Sequence, residues 1–452
     1  VVNLAGISGG SGNDTIVNSG NIIAGRDFSD SENPEAMASA TAGSETFSVG
    51  LTVGGSFKDA SSNASAKADS KATGIETGLG DDIVNNTGDI NAFSSSAALG
   101  SAKAEKVSLT IGALEGAVKS EAFSLSTALA TGIESGEDAD IIDTDSDIVV
   151  KAFSVSTTTS NAEDLNILSI GSAIQSATAN SSSTAEAFAR GIDGGTGGDT
   201  ITAAGTYSII ADTMVSSDSR SSTVTGLGLG VNIQEAQSRA GTVSDALAIG
   251  IDGGEGDDVI KSTAPLWVNT FSSADTTATS STNTGFNIAG ASSGESAAGA
   301  TTDVTASGIG IRGGISVLAD DESDADIIVN EGPIFVNTTV MATTESTSTS
   351  DSIALFGAAS GKAASDASAR VSADAPGIDS GADNDIITST GEINVQSTAS
   401  GKVTSTSNVD SETVFGEATS RGASDASAIL ETKALGINGG ADDDIISSEG
   451  SA

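Results

Sequence analysis

The chain contains no cysteine and no histidine among its 452 residues. The absence of cysteine rules out a disulfide framework, and the absence of both residues rules out zinc sites of the Cys/His type. Catalysis by a Ser-His-Asp or a Cys-His arrangement is excluded for the same reason. No apolar run approaches the roughly 18 residues of a transmembrane helix, so we expect no membrane span.

Large side chains and positive charges are scarce. Aromatic residues make up 3% of the chain, with one Trp and one Tyr, whereas Gly contributes 55 residues. We therefore expect a thin core in which small side chains bring backbones close together. Lys and Arg total 18 against 61 Asp and Glu, which gives a net charge of −43. This charge repels nucleic-acid phosphates and anionic membranes, so the expected partners are cations and nucleic acid is not expected.

An internal repeat runs through the whole sequence. A Gly-Ile pair, an acidic Gly-rich turn and an aliphatic pair recur eight times, as in GIETGLGDDIV at residues 74–84. One Asp of the turn is common to all copies, and successive copies lie 68, 58, 59, 59, 68, 59 and 59 residues apart. The common residues are Asp14, Asp82, Asp140, Asp199, Asp258, Asp326, Asp385 and Asp444. The basic unit is therefore about 59 residues long.

No domain boundary interrupts the repeat. We predict one array of about eight units over residues 1–452, without a separate domain. Two units carry insertions of about nine residues, one before Asp82 and one at 315–322, inside the sixth turn. The eight turns are predicted near residues 6–20, 74–88, 132–146, 191–205, 250–264, 310–332, 377–391 and 436–450.

The stretch before each Gly-Ile pair alternates with a period of two. In the second unit, Ala64, Ala66 and Ala68 alternate with Ser65 and Lys67. A strict period of two over ten residues predicts a strand, and it outweighs the helix propensity of Ala. Because the charged face must be hydrated, we expect the face of small residues to be buried. Each unit also has a middle strand with larger residues, such as VSLTIG at 107–112.

Stacking of such units predicts an all-β fold, a repetitive β-solenoid of the β-helix or β-roll kind with a thin Ala/Ser/Gly core. At ~3.3 Å per residue, one unit has a contour of roughly 195 Å. A coil of that size is either strongly flattened or divided into two coils of about 30 residues. An array of stacked β-hairpin modules is the third alternative. The sequence does not choose among these geometries.

The turn resembles the calcium-binding nonapeptide of the bacterial RTX (repeats-in-toxin) family, G-G-x-G-x-D-x-U-x with U aliphatic. Residues 9–17, 194–202 and 253–261 match in full, and the copy at Thr77 lacks only the first Gly. RTX proteins carry these nonapeptides in tandem, whereas this chain has one per unit. The resemblance implies that the common Asp binds Ca²⁺, that adjacent coils share the ions, and that the aliphatic pair anchors the loop in the core.

Calcium suits the chemistry of the turn. Ca²⁺ takes six to eight oxygen ligands from carboxylates and carbonyls, and glycines let the backbone direct its carbonyls inward. The predicted metal ligands are therefore the eight common Asp residues and the acids beside them, namely Asp81, Asp257, Asp138, Asp383 and Asp442. If a unit made two coils, sharing would fail, and acids after the Gly-Ile pair such as Glu134 and Asp252 could complete a site. The alternatives are plain Gly-Asp β-turns and a halophile's acidic surface.

The expected function is structural. Repetition, acidity and the missing catalytic residues predict a calcium-stabilised filament, matrix fibre or adhesin stalk, and the resemblance implies a secreted or cell-surface protein of a bacterium. Neither end shows a polar capping unit, so we expect head-to-tail self-association. A carbohydrate- or ice-binding adhesin region is the alternative. A β-helical polysaccharide-active enzyme is disfavoured because no segment breaks the repeat to form a pocket, so we predict no enzymatic activity.

Overall fold

The computed structural model describes residues 1–26, 37–53, 59–314, 325–382 and 384–449. These residues form 18 β-strands and no helix, which confirms the all-β prediction. The insertion predicted at 315–322 and the predicted ligand Asp383 lie outside the described residues. Within the described part of the chain, no helix is long and apolar enough to cross a membrane.

Each complete repeat contributes one long strand and one short strand, joined by the Gly-rich turn. The long strands are β7 (Ile90–Glu137), β9 (Ile148–Asp193), β11 (Tyr207–Gly254), β13 (Leu266–Gly314), β15 (Ile334–Asp379) and β17 (Ile393–Asn438). The short strands are β2 (Thr15–Asn18), β6 (Ile83–Asn86), β8 (Ile141–Asp145), β10 (Thr200–Ala204), β12 (Val259–Ser262), β14 (Ile327–Asn330), β16 (Ile386–Ser389) and β18 (Ile445–Ser448). The remaining strands precede β7: β1 (Val2–Ser11), β3 (Ile22–Gly25), β4 (Ala38–Val53) and β5 (Ala60–Leu79).

The strands stack into two parallel sheets. One sheet has the order β1-β5-β7-β9-β11-β13-β15-β17, with β3 and β4 also paired to β7, and the other runs from β2 to β18 through the short strands. Residues pair with their equivalents one repeat away, so that Ile148 lies between Ile90 and Tyr207. Each repeat is therefore one coil of a β-solenoid-like stack. The two-coil geometry is wrong, and the parallel pairing rules out hairpin modules among the described strands.

Every coil is strongly flattened. The hydroxyls of Ser96 and Ser126 lie 2.6 Å apart although both belong to β7 and are 30 residues apart in sequence. The long strand therefore folds back on itself, and two arms face each other across the core. The fold-back lies near Gly112, whose φ is +114°, and at the next tip a Cβ on Gly171 would collide with the carbonyl oxygen of Gly112. Both the left-handed backbone and the close stacking require glycine there.

Small side chains fill the space between the arms. Ala64, Ala66 and Ala68 are all buried, while Ser65 and Lys67 face solvent, as the alternation predicts. Serine and threonine hydroxyls occupy other inward positions and bond across the core, as Ser124 does with Ser156 at 2.6 Å. The interior is thus a stack of small residues and hydroxyl ladders, in which burial and hydrogen bonding act together.

Among the described residues, the conventional apolar core lies at the turn end of the coils. Three ladders of large apolar residues meet there, contributed by the Gly-Ile pair, the short strand and the start of the long strand. In the second to fourth repeats they comprise Ile75, Ile133 and Ile192, then Val84, Ile142 and Ile201, and then Ile90, Ile148 and Tyr207. Of the aliphatic pair after the common Asp, only the second residue is buried: Val84 is inside and Ile83 is outside. These ladders hold the Gly-rich turn at one edge of the stack.

Candidate metal centre

Glycines with positive φ shape the loop that leads to each common Asp. In the fourth repeat Gly195 and Gly197 have φ of +93° and +125°, and in the fifth Gly254 and Gly256 have +110° and +123°. These left-handed positions are the first reason for the Gly-rich pattern. The loops also stack on one another, because Thr196 forms parallel bridges to Glu137 and Glu255 in the coils on either side.

The structure places all eight common Asp residues in one column, which we call the Asp column. The backbone N–H of each of the first seven donates to Oδ1 of the equivalent Asp in the next coil, over distances of 2.6 to 3.1 Å. The six middle members are almost completely buried, whereas Asp14 and Asp444 at the two ends are partly exposed. One oxygen of each paired carboxylate is thus held by a backbone N–H of the preceding coil.

The second carboxylate oxygen points into its own loop. A Cβ built on Gly194 would lie 2.7 Å from Oδ2 of Asp199, so this oxygen lies against the glycine that opens the nonapeptide. Oδ2 of Asp199 and Oδ2 of Asp82 are buried and accept no hydrogen bond. A buried carboxylate oxygen without a donor is costly, and a cation or a proton would remove the cost. The glycine cradle and the free oxygen therefore fit a small hard cation.

Burial and mutual repulsion raise the pKa of two members of the Asp column. Burial, against the opposing hydrogen bond from the backbone N–H of Asp140, raises the pKa of Asp199 to about 8, and the neighbouring carboxylates of Asp258 and Asp140 act in the same direction as burial. Burial also raises the pKa of Asp140 to about 6. Successive members are one strand spacing apart, about 4.8 Å. A column of that spacing needs a positive charge near it to stay ionised.

The accompanying acids do not join the column. Asp81 and Asp257 precede common Asp residues but face solvent, and Asp257 accepts a backbone hydrogen bond from Ala325 at 3.0 Å. Asp138 and Asp442 replace the fourth-position glycine, are exposed, and have φ of +75° and +77°. Asp tolerates the left-handed region, so its place there satisfies the backbone conformation.

A second acidic column beside the turn is neutralised by basic side chains. Lys71 Nζ lies 2.8 Å from Glu134, and Nε of Arg312 donates to Asp252 at 2.7 Å. Arg190 bonds Asp193 and approaches Asp252 to 3.7 Å. These acids therefore have basic partners within the protein. Sequence reasoning missed these ion pairs, although Asp252 and Arg312 are 60 residues apart, close to the repeat length.

No group of three or more Asp, Glu, His or Cys side chains is placed to hold a metal among the residues that the structure describes. A cation at the turn would therefore rely on one carboxylate of the Asp column per coil together with backbone carbonyls, a donor set that Ca²⁺ accepts and Zn²⁺ does not favour. Comparisons with protein-family models, with curated proteins and with solved structures found no match to this chain.

Proposed function

We propose that this chain is an extracellular structural repeat protein, stabilised by calcium and acting as part of a filament, a matrix fibre or an adhesin stalk. The observation that carries the proposal is the Asp column, in which one carboxylate per coil is buried and Oδ2 of Asp199 faces a glycine cradle without a donor. The resemblance of the loop to the RTX nonapeptide supports Ca²⁺ as the cation.

Extracellular calcium provides the physical reason for the location. A stack carrying a net charge of −43 repels itself, and cations at the turns reduce that repulsion. Ca²⁺ is abundant outside cells, and binding that is coupled to folding would stabilise the stack there. We therefore propose a secreted or cell-surface protein of bacterial origin that does not act as an enzyme.

Head-to-tail association belongs to the same proposal. The 46-residue strand β17 pairs with β15 along one edge, and in the described residues no strand covers its other edge. The exposed N–H and C=O groups of such an edge accept another parallel coil, from a second copy or from a longer chain. One repeated, non-closing contact of this kind produces a filament.

Calcium titration tests the proposal directly. Equilibrium dialysis against Ca²⁺ should show several sites, at most about one for each member of the Asp column, while Mg²⁺ at the same concentration should bind more weakly because it demands stricter octahedral geometry. Light scattering in the same solutions should increase with calcium as copies join. Absence of binding at millimolar Ca²⁺ would contradict the calcium part, and unchanged scattering would contradict the assembly.

Carbohydrate binding is the second candidate, because an open groove lies on the arm that returns from the tip. Its volume is about 660 Å³, and its lining includes Phe123, Asn180, Glu121 and Arg239. An exposed aromatic ring beside amide and carboxylate groups suits the apolar face and the hydroxyls of a sugar. A glycan array with the wild type and the Phe123→Ala variant tests this candidate function. If the groove binds sugars, the wild type should bind to glycans on the array and the substitution should remove that binding.

A further inference from the structure

The tips of the flattened coils are polar inside and apolar outside. In the second coil Lys106, Ser108 and Thr110 point inward and are buried, whereas Leu109 and Ile111 alternate with them and face outward. This is the reverse of the usual arrangement in a half-buried strand. The apolar residues at the tips therefore contribute little to the core of the described coils.

The outward residues continue from coil to coil as ladders along the whole edge. Through their parallel pairing, Leu109 is followed by Leu168, Leu227, Phe286 and Ile353, and Glu412 of the last coil ends this ladder. The parallel ladder from Ile111 runs through Ile170, Leu229, Ala289, Phe356 and Phe415. We call these two ladders, with the outward residues just past each tip glycine, the tip ridge.

The tip ridge is solvent-accessible and free of charge over most of its length. Ile111, Ile170 and Phe356 are 44%, 38% and 50% exposed, and the rings of Phe356 and Phe415 stack at 5.1 Å. From Leu109 to Ile353 and from Ile111 to Phe415, neither ladder contains a charged residue. On a chain with a net charge of −43, such a continuous apolar strip marks an interaction surface.

We propose that the tip ridge docks laterally on the tip ridge of a second copy of this chain. Its side chains repeat at the strand spacing of about 4.8 Å, and the surface that matches this periodicity is another ridge with the same repeat. Because the two ladders carry no charge before Glu412, this is a face on which two acidic copies meet with little repulsion.

The size of the tip ridge fits such a contact. The six described tips, from Gly112 to Gly416, span about 24 Å at the strand spacing, and the ridge is roughly 15 to 20 Å wide. Two copies would bury about 700 to 1,000 Å² in total, the size of a weak, transient contact. Lateral pairing would bundle filaments side by side, in a direction perpendicular to the stacking of coils, and it does not depend on calcium at the turns.

Pyrene labels test the contact, because the chain has no cysteine and each introduced thiol is unique. Val231→Cys places the probe on the third of the six described tips, where it lies within about one strand spacing of its equivalent in either a parallel or an antiparallel pair. Lys261→Cys places the same probe on the exposed face of β12, at the turn edge. End-to-end stacking separates equal probes by seven or more coils, over about 34 Å, and yields no excimer.

Lateral docking predicts excimer fluorescence from Val231→Cys that increases with protein concentration. The excimer should form in EDTA at 0.15 M salt as well as in calcium. Lys261→Cys should give no excimer. Adding Ile170→Ser and Phe356→Ser should weaken the association at least tenfold. Val243→Ser, which removes an apolar side chain of similar exposure from the returning arm, should leave it unchanged. Circular dichroism checks that each variant keeps its strands.

Three outcomes would overturn the proposal. A folded Val231→Cys protein that gives no excimer at any concentration has no lateral contact at the tips. Excimers of equal strength from both labelled positions show non-specific association. Transfer of the Val231 probe into vesicles of neutral phosphatidylcholine, without an excimer, would identify a lipid surface as the occupant.

Discussion

The backbone N–H of Asp140 donates a hydrogen bond of 2.7 Å to Oδ1 of Asp199, which follows it by 59 residues. The same bond recurs between all neighbouring members of the Asp column. Each paired carboxylate thus has two separable roles, since Oδ1 fixes the stacking of coils and Oδ2 faces the loop. An asparagine at such a position keeps an oxygen that can accept the stacking hydrogen bond, but it removes the negative charge that would attract a cation to the loop.

Asp199→Asn should remove about one calcium site while preserving the stack. The amide oxygen can still accept the N–H of Asp140, but a neutral side chain is a poorer ligand for Ca²⁺. The control is Asp257→Asn, which removes an exposed carboxylate from the adjacent turn. Isothermal titration calorimetry measures the number of sites. Equal stoichiometry in wild type and Asp199→Asn would show that this carboxylate binds no calcium.

The effect of Asp199→Asn on stability should reverse with calcium. In EDTA the wild type carries a buried carboxylate between Asp140 and Asp258, so the substitution should raise the melting temperature or leave it unchanged. In millimolar calcium the wild type gains stability from ligand binding, and the variant should gain less. Differential scanning calorimetry in both buffers gives the comparison. A variant equally destabilised in both would mean that the carboxylate is only structural.

The strand pattern and the Asp column could be predicted because both depend on local periodicity. Alternation around Ala66 identifies the buried face, since charge at Lys67 must remain hydrated. A fixed repeat places equivalent residues at equivalent points of a stack, so Asp82 and Asp140 had to align once each repeat formed one coil. The number of coils per repeat could not be predicted, because contour length alone permits both geometries.

The tips could not be predicted because they reverse the usual rule. In VSLTIG the apolar residues look like a buried face, yet Leu109 points outward and Ser108 inward. Which face of a strand lies inside depends on the arm that packs against it, and that arm is distant in sequence. Ser96 and Ser126, which face each other across the core, are 30 residues apart. The left-handed backbone of Asp138 and Asp442, where glycine is usual, was also not predicted, because the identity of an acid does not reveal its φ.

Overpacking the thin core should distinguish its two faces. Ala68 is 2% exposed between the arms, whereas the side chain of its neighbour Lys67 is 61% exposed. Ala68→Leu should destabilise the stack by about 1–3 kcal/mol, because extra methyl groups force the arms apart. Lys67→Leu should change stability little. Urea unfolding followed by circular dichroism provides the test, and equal effects at the two positions would contradict the assignment of faces.

Asp212 should make the stability pH-dependent. Burial raises the pKa of this carboxyl to about 6, against an opposing effect from Lys151. Because the folded-state pKa is above the unfolded value of 3.8, the stabilising contribution is complete below about pH 4 and is lost as the pH rises through 6.

The measurement is the urea midpoint between pH 4 and 7 in EDTA, with Asp212→Asn expected to flatten the fall that the wild type shows. Asp275→Asn removes an exposed carboxylate from the next coil and serves as the control. If Asp212→Asn shows the same pH dependence as the wild type, Asp212 does not cause it.

The buried ion pair between Lys106 and Asp164 gives the last prediction. Both side chains are fully buried, Nζ lies 2.9 Å from Oδ2 of Asp164, and Gln175 donates to Oδ1 at 2.9 Å. Lys106→Met leaves an uncompensated carboxylate inside the stack and should cost about 3–5 kcal/mol. The double variant Lys106→Met/Asp164→Leu removes both charges and should recover much of that loss, since apolar side chains of similar volume replace a buried pair at little cost.

A double-mutant cycle completed with Asp164→Leu measures the coupling between the two charges. The cycle should give a large favourable coupling, and each single variant should be less stable than the double variant. Additive losses would show that water reaches the pair in solution and that the charges do not depend on each other. Because Lys106 and Asp164 belong to adjacent coils and are 58 residues apart, a strong coupling would also show that opposite charges at the repeat distance help to fix the register of the stack.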